Sequence, residues 1–361
     1  MRNRLATPVA AALSMSGAMA SADTLTVCAT GCQYDSILQA IEAAQDGDVI
    51  QLSAEIYEEG ESIDPAGKQI TLRGALDKAG NPSSVIDGGN PVGGTSGVRV
   101  LVCRTGETST TVFENLVIQN GYAVGNFTIG NGGGGMYNDA TSPTVINCVF
   151  RNNLAVYNGG GMFNDNGSRP TVEDCVFTGN SAYVGGGMCN TRFVPGDDDS
   201  DGEDELSDEG PILIDSIFEG NFAQVGGAMA TYTNASLAGC SLTDNTANSG
   251  AGGIYTGFGS EAVSNPSLID TTVCGNQWGQ ISAGYQDLGG NCVTTSCDDC
   301  DPSSADSCPA DLDGNDLVDS ADLGLVIGGW GTSGSVADID GDGVVNATDL
   351  GLVIGAWGPC P

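Results

Sequence analysis

The stretch PTVINCVFRNN, residues 143–153, returns four times: PTVEDCVFTGN from Pro170, PILIDSIFEGN from Pro211, ASLAGCSLTDN from Ala235 and PSLIDTTVCGN from Pro266. The steps are 27, 41, 24 and 31 residues. A second signature interleaves with it, GGGM ending at Met136, Met162 and Met188, then GGAM at Met229 and GGI at Ile254. Both lengthen at the same place, which marks one insertion in an otherwise regular array. A period of this size is the mark of a solenoid, in which each unit buries its apolar face only by stacking on its neighbours.

Columns of the alignment give the unit its shape. Val145, Val172, Leu213, Leu237 and Leu268 form one apolar column; Cys148, Cys175, Ser216, Cys240 and Thr271 form a small one; Phe150, Phe177, Phe218, Leu242 and Val273 form another apolar one. The last two columns are two residues apart, the period of a strand, whereas the first lies three before the second and implies a bend. Asn153, Asn180, Asn221, Asn245 and Asn276 fill a further column, followed by Ala155, Ala182, Ala223 and Ala247. An Asn repeated at every turn can hydrogen-bond to the Asn above and below it as a ladder. Short strands, inward columns and a stacked Asn predict a right-handed parallel β-helix of roughly ten coils over residues 23–295.

Composition narrows the function. Glycine supplies 56 of 361 residues, far above the globular norm, as a turn-rich coil requires. Lys plus Arg number 10 against 46 Asp plus Glu, and His is absent. Ser-His-Asp and Cys-His catalysis and His metal sites are therefore excluded. A surface this acidic is also a poor match for nucleic acid, whose phosphates demand basic side chains. Residues 1–22 carry Arg2 and Arg4, a short apolar run and Ala20-Ser21-Ala22, the pattern of a cleaved signal peptide, so a secreted or cell-surface protein is expected. Losing that segment moves the formal charge from −36 to −38. No later stretch reads as a transmembrane helix. All 13 Cys lie beyond the leader, in an oxidising compartment that favours disulfides; the odd number leaves at least one without a partner in the chain.

The F-x-x-N and GGGM/GGAM repeats resemble those of the chlamydial polymorphic outer membrane proteins. Upstream, YDSILQAIEAAQDGDVIQL, GKQITLRG and SSVIDGG resemble the entry segment of pectin-lyase-like β-helices. The resemblance implies that a helix over residues 36–44 caps the open end of the coil, where an uncovered edge would otherwise add another chain.

The sharpest motif is C-terminal. DLDGNDLVDSADLGLVIGGWG from Asp311 repeats as DIDGDGVVNATDLGLVIGAWG from Asp338, offset by 27 residues. Oxygen-bearing side chains stand at loop positions 1, 3, 5, 9 and 12: Asp311, Asp313, Asn315, Asp319 and Asp322, then Asp338, Asp340, Asp342, Asn346 and Asp349. With the position-7 carbonyls of Leu317 and Val344, this is the ligand spacing of two EF-hand-type calcium sites, each followed by an apolar helix. Position 6 is Asp316 in the first loop and Gly343 in the second, so the second is expected to bind calcium more tightly. Leu323, Leu325, Val326, Ile327 and Trp330, with Leu350, Leu352, Val353, Ile354 and Trp357, are the expected helix core. Cys308 and Cys360 flank the repeats and are expected to close the module as a disulfide once two-fold pairing brings its ends together.

Duplication, brevity and Asp at position 12 make residues 309–361 resemble a type I dockerin, which implies a cohesin-like or other scaffold partner. Two features depart from that family. Positions 10 and 11 are Ser320-Ala321 and Ala347-Thr348, and the basic pair farther along is replaced by Ile327-Gly328 and Ile354-Gly355. The joining segment 296–308 is polar and Cys-rich; its Cys297-x-x-Cys300 reads as disulfide cysteines rather than zinc ligands in an exported chain without His.

Two further sites are expectations. Asn147, Asp174, Asp215, Gly239 and Asp270 precede the small column and point outward. Asp174 and Asp215, on consecutive coils about 4.8 Å apart, would stand near the roughly 5 Å separation of a retaining glycosidase pair. The acidic insertion 196–210 offers Asp197, Asp199, Asp201, Glu205 and Asp208 at calcium-loop spacing, either a third site or a solvated loop. The basic residues beyond the leader are Lys68, Arg73, Lys78, Arg99, Arg104, Arg151, Arg169 and Arg192, with none after Arg192, a poor set for holding a uronic acid. The chain thus reads as a secreted or surface β-helix that binds polysaccharide and is anchored by a calcium module. Glycoside hydrolase or lyase activity is left open; the alternative is a non-enzymatic adhesin or structural envelope protein.

Overall fold

A computed structural model describes residues 22–91, 94–124, 132–191, 209–257, 264–300, 310–313, 317–333, 337–340 and 343–359. The leader through residue 21, the insertion through residue 208, Asn315, Asp316, Asp342, Arg192, Cys308 and Cys360 lie outside these residues. So, therefore, do the expected Cys308–Cys360 bond and the third calcium loop.

The chain winds as a parallel β-helix. One sheet has ten strands, from Thr24–Val27 to Gln286–Asp287, a rung for each of the ten expected coils. A nine-stranded sheet runs from Ile56–Tyr57 to Cys292–Thr294. A six-stranded sheet runs from Leu101–Cys103 to Ile254–Thr256, and a five-stranded sheet from Tyr122–Ala123 to Thr246–Ala247. Pairing is in register from coil to coil, as in Phe150 with Phe177 and Phe177 with Phe218.

The inward columns are buried. Val145, Val172 and Leu213, Cys148 and Cys175, and Phe150, Phe177 and Phe218 are all 0 % exposed. The three Phe rings stack nearly parallel, with centroids 4.7 and 4.5 Å apart, close to the coil repeat. Asn153, Asn180, Asn221, Asn245 and Asn276 form the ladder. Each Oδ1 from Asn180 to Asn276 accepts both the backbone N–H and the Nδ2 of the preceding Asn, at 2.9–3.1 Å. Each Nδ2 also donates to a main-chain carbonyl, such as that of Phe150 for Asn180, so these buried amides are satisfied. The sequence reading missed a second ladder: Asn138 donates to Asn164, and Asn164 to Asn190, both at 2.8 Å.

The glycines before each Met exist for close approach. A Cβ on Gly187 would lie 2.5 Å from the Ala228 carbonyl and 2.7 Å from the Phe218 ring, so no side chain fits between rung and stack.

The ends are closed differently. Helix Ile37–Ala43, capped by the Ser36 side chain, buries Ile37, Ala40 and Ile41 against the first coil, as expected. At the other end Cys274 bonds Cys297 and Cys292 bonds Cys300, so Cys297 and Cys300 serve as disulfide cysteines with separate partners. A third disulfide joins Cys28 to Cys32. Cys103, Cys148, Cys175, Cys189 and Cys240 are free and buried, and burial pushes up the thiol pKa of Cys103, Cys175, Cys189 and Cys240.

Candidate functional site

The C-terminal repeats fold as a two-fold pair. Helix Ser320–Gly328 follows the first loop and helix Ala347–Gly355 the second. Val318 pairs with Gly358, which lies after the second helix, while Val345 exchanges hydrogen bonds with Gly331 and Thr332, after the first. Each loop is thus tied to the tail of the other repeat. The core obeys the same 27-residue offset: Ala310 with Ala337, Val318 with Val345, Val326 with Val353.

Each loop closes around its last carboxylate. Asp322 accepts from the backbone N–H of Leu312 at 2.6 Å, Asp313 at 3.2 Å and Asp319 at 2.8 Å. Asp349 accepts from Ile339, Asp340 and Asn346 at 2.7, 3.2 and 2.7 Å. These bonds, led by those from Asp319 and Asn346, hold both carboxyls below the ordinary aspartate range. The result is two converging triads, Asp311, Asp313 and Asp322, and Asp338, Asp340 and Asp349, whose oxygens lie within 4.8 Å of one another.

Three like charges at that distance repel, and hard oxygen donors so gathered suit calcium. Asp338 supplies a direct test of fit. Its Oδ2 accepts from the Gly343 N–H at 2.9 Å, while its Oδ1 is buried with no hydrogen-bond partner, as a cation ligand would be. Gly343 has φ +93, the turn conformation that suits glycine at position 6. Asp319 and Asn346, at position 9, are N-caps that accept from Ala321 and Thr348 at 2.6 and 2.8 Å. The Val344 carbonyl accepts from Asn346 Nδ2. Asn315 and Asp342 fall outside the described residues.

The expected helix core requires correction. Val326 and Val353 are buried, with Leu323 and Leu350 packed against them. Leu325, Ile327, Trp330, Leu352, Ile354 and Trp357 are instead 41–59 % exposed. Apolar residues ring both faces of each helix, and only the strip facing the other repeat finds a partner. The outer strip is a repeated apolar surface that periodicity alone cannot tell from core.

Asp174 and Asp215 stand exposed on consecutive coils, at the two-residue corner between the ten- and nine-stranded sheets. Along that corner Asn115, Asn147, Asp174, Asp215, Gly239 and Asp270 have φ between 47 and 64°. Left-handed backbone selects Asn, Asp and Gly, which accounts for the residue types in this column. A shallow groove of about 400 Å³ lies elsewhere, lined by Glu107, Ser109, Thr141, Ser142, Arg169 and Thr171. Glu107 is occupied there, accepting from Gly67, Thr105 and the Thr105 hydroxyl.

On the outer side of the six-stranded sheet, Asp139 and Asp165 pair in register. Burial, then the Asp139 charge, push the Asp165 carboxyl above its ordinary value, while hydrogen bonds from Thr191 Oγ1 at 2.6 Å and the Asn166 N–H oppose the rise. These positions lie beyond the Met that ends the GGGM signature.

Residues 309–356 match the dockerin type I domain, and both Asp triads lie inside that match. A pectin methylesterase in complex with hexasaccharide VII is similar to the chain at 12 % identity and TM-score 0.43, over 74 % of this chain and 82 % of that one. Escherichia coli YbhC is similar at 13 % identity and TM-score 0.39, over 77 % and 78 %. No curated protein sequence matches the chain. Among the described residues no helix is long and apolar enough to cross a membrane.

Proposed function

We propose that this chain is an exported β-helix protein that engages extracellular polysaccharide and is held to a protein scaffold by its calcium-organised C-terminal module. The observation that carries the docking half is the pair of Asp triads within the dockerin match, one with a buried, unpartnered Asp338 Oδ1. Calcium would be held by Asp311, Asp313 and Asp322 with Asn315, Asp319 and the Leu317 carbonyl, and by Asp338, Asp340 and Asp349 with Asp342, Asn346 and the Val344 carbonyl. It supplies the charge that lets each triad converge. The partner is a cohesin-type domain, met by the exposed strip of Leu325, Ile327 and Trp330 and its repeat; Ile327 and Ile354 call for an apolar rather than an acidic partner surface.

The polysaccharide half is supported by the fold class, a parallel β-helix, and by an acidic composition that disfavours nucleic acid. If the β-helix also cleaves its glycan, Asp174 and Asp215 are the acid pair. Affinity electrophoresis of the calcium-loaded chain through gels holding soluble polysaccharides, with capture of a cohesin domain in a parallel arm, tests both halves. Retardation by a glycan and calcium-dependent capture are expected. Mobility unchanged by every glycan overturns the first half and leaves an adhesin of other specificity; failure of capture overturns the second.

A further inference from the structure

The five-stranded sheet has a solvent face unlike the rest of this acidic molecule. Its strands, Tyr122–Ala123, Leu154–Ala155, Ser181–Val184, Phe222–Val225 and Thr246–Ala247, turn alanines inward at positions 123, 155 and 182. Outward positions carry aromatic and aliphatic side chains, Val124 at 70 % exposed, Tyr183 at 55 % and Phe222 at 43 %, with Val156 and a half-buried Tyr122 alongside, and uncharged Ser181, Gln224 and Thr246 between them. No strand of this sheet carries a charged side chain, in a chain with a net charge of −36.

The strip continues onto the next coil. Main-chain bonds step from Leu154 to Gly121, Ser181 to Asn153, Phe222 to Asn180, Thr246 to Asn221 and Gln277 to Asn245, which stacks Gln277 and Trp278 beneath Thr246 and Ala247. Trp278 thus stands where earlier coils carry an inward Ala. It has φ +67, a conformation disfavoured for a bulky side chain, and the indole is 73 % exposed. Unfavourable backbone geometry that turns a large aromatic into water is the kind of feature found at binding surfaces.

From this geometry we infer, on the polysaccharide reading given above, that the glycan is an uncharged polysaccharide lying along the helix axis across this face. Its sugar faces stack on Tyr122, Tyr183, Phe222 and Trp278. Five coil steps at about 4.8 Å make a track of about 24 Å. Backbone groups of the sheet are bonded from coil to coil, so a peptide cannot add to the face as a strand, and recognition falls to ring faces and to the polar edge supplied by Gln224 and Ser249. Charge disfavours a polyuronate. Six of the seven described basic residues are already committed: Arg73 to Glu114, Arg104 to Asp64, Arg169 to Glu209, Lys68 to the carbonyls ending the first helix, Arg99 to Gly132 and the Tyr137 ring, Arg151 to Gln119.

The test compares the calcium-loaded full chain with a Tyr183→Ser, Phe222→Ser, Trp278→Gly variant. All three positions are exposed, and glycine suits the Trp278 backbone, so the variant should match wild type by circular dichroism. The gels hold mixed-linkage β-glucan, xylan, galactomannan or polygalacturonate. Retardation of wild type by at least one of the three neutral polymers and not by polygalacturonate, weakened about 10-fold or more in the variant, is expected. Equal retardation of wild type and variant overturns this site while leaving the polysaccharide reading standing. Binding to polygalacturonate alone overturns the substrate class, and no binding to any polymer overturns the reading itself. A wild type that self-associates through this face, with the variant monomeric, also overturns it.

Discussion

The β-helix and the C-terminal module are both repeats of similar period, yet they solve opposite electrostatic problems. In the helix every inward column is neutral, and each rung satisfies the next: Phe177 lies between Phe150 and Phe218, and Asn180 accepts from Asn153 while donating to Asn221. In the module each loop gathers three carboxylates, the last of them fully buried, beside a small Ala and Val core, and repetition multiplies repulsion instead of relieving it. One part is complete when its own residues are stacked; the other is expected to fold only with a cation among its carboxylates.

The largest effect should come from removing that cation. In excess chelator, helices Ser320–Gly328 and Ala347–Gly355 are expected to lose hydrogen-exchange protection entirely, while Thr144–Ile146 and Val176–Thr178 keep theirs. The Asp338 loop should refill at lower calcium than the Asp311 loop, because Asp316 replaces glycine in the first. Module helices that stay protected in chelator, with disulfides reduced, would show the triads to be stable without charge compensation.

Next in size are the neutral columns. Phe177→Ala opens a gap in the ring stack and should cost about 3–5 kcal/mol of β-helix stability. Asn180→Ala removes the acceptor of the Asn153 N–H and Nδ2 and the donor to the Phe150 carbonyl, each orphaned buried group costing about 1–3 kcal/mol. Neither loss should depend on calcium, as urea unfolding with and without chelator would check; a calcium-dependent loss would couple the two parts and break the contrast.

How much of this was legible follows from what periodicity reports. Columns of Val, Cys and Phe and the Asn153–Asn276 series declare burial and stacking directly, because the same side chain must recur on each coil. The backbone corners do not announce themselves as hydrophobicity. Asn147, Asp174 and Asp215 read as outward carboxylates and amides, whereas their shared positive φ shows in the sequence only as an alternation of Asn, Asp and Gly in one column. The Asn138–Asn164–Asn190 ladder and Asp165 sit just past the Met at which the second signature was closed. In the module, apolar residues on both faces of each helix hid the exposure of Leu325, Ile327 and Trp330 until the partner repeat was in place.

Smaller effects test the corner. Asp174→Asn and Asp215→Asn should leave stability within about 0.5 kcal/mol of wild type. Asp174→Val should lose about 1–2 kcal/mol, because a β-branched residue resists the left-handed region. Release of reducing ends separates structure from chemistry: an acid pair requires both Asn variants to lose product formation at unchanged stability, whereas a purely structural corner leaves any product formation untouched.

The smallest expected effect brings the module's problem into the solenoid at one position. Asp165 faces Asp139 on the neighbouring coil, and its carboxyl is raised above the ordinary value of 3.8, first by burial. A raised folded pKa means that the native state holds its proton longer than the unfolded chain does, so stability must fall as pH rises through the interval between the two values and level off above it. The wild type should therefore have its greatest relative stability below pH 3.8 as far as this group is concerned. Asp165→Asn removes the ionisation, so the urea midpoint of the variant relative to wild type should climb from pH 3 and reach a plateau by neutrality. Thr191→Val sharpens the point. It deletes the hydroxyl that donates to Asp165 Oδ1 at 2.6 Å, one of the bonds holding the rise in check, so the fall in stability should extend to higher pH. Asp165→Asn and wild type keeping a constant difference from pH 3 to 7 would mean that Asp165 ionises as it does in the unfolded chain, and that the solenoid contains no uncompensated charge of the module's kind here.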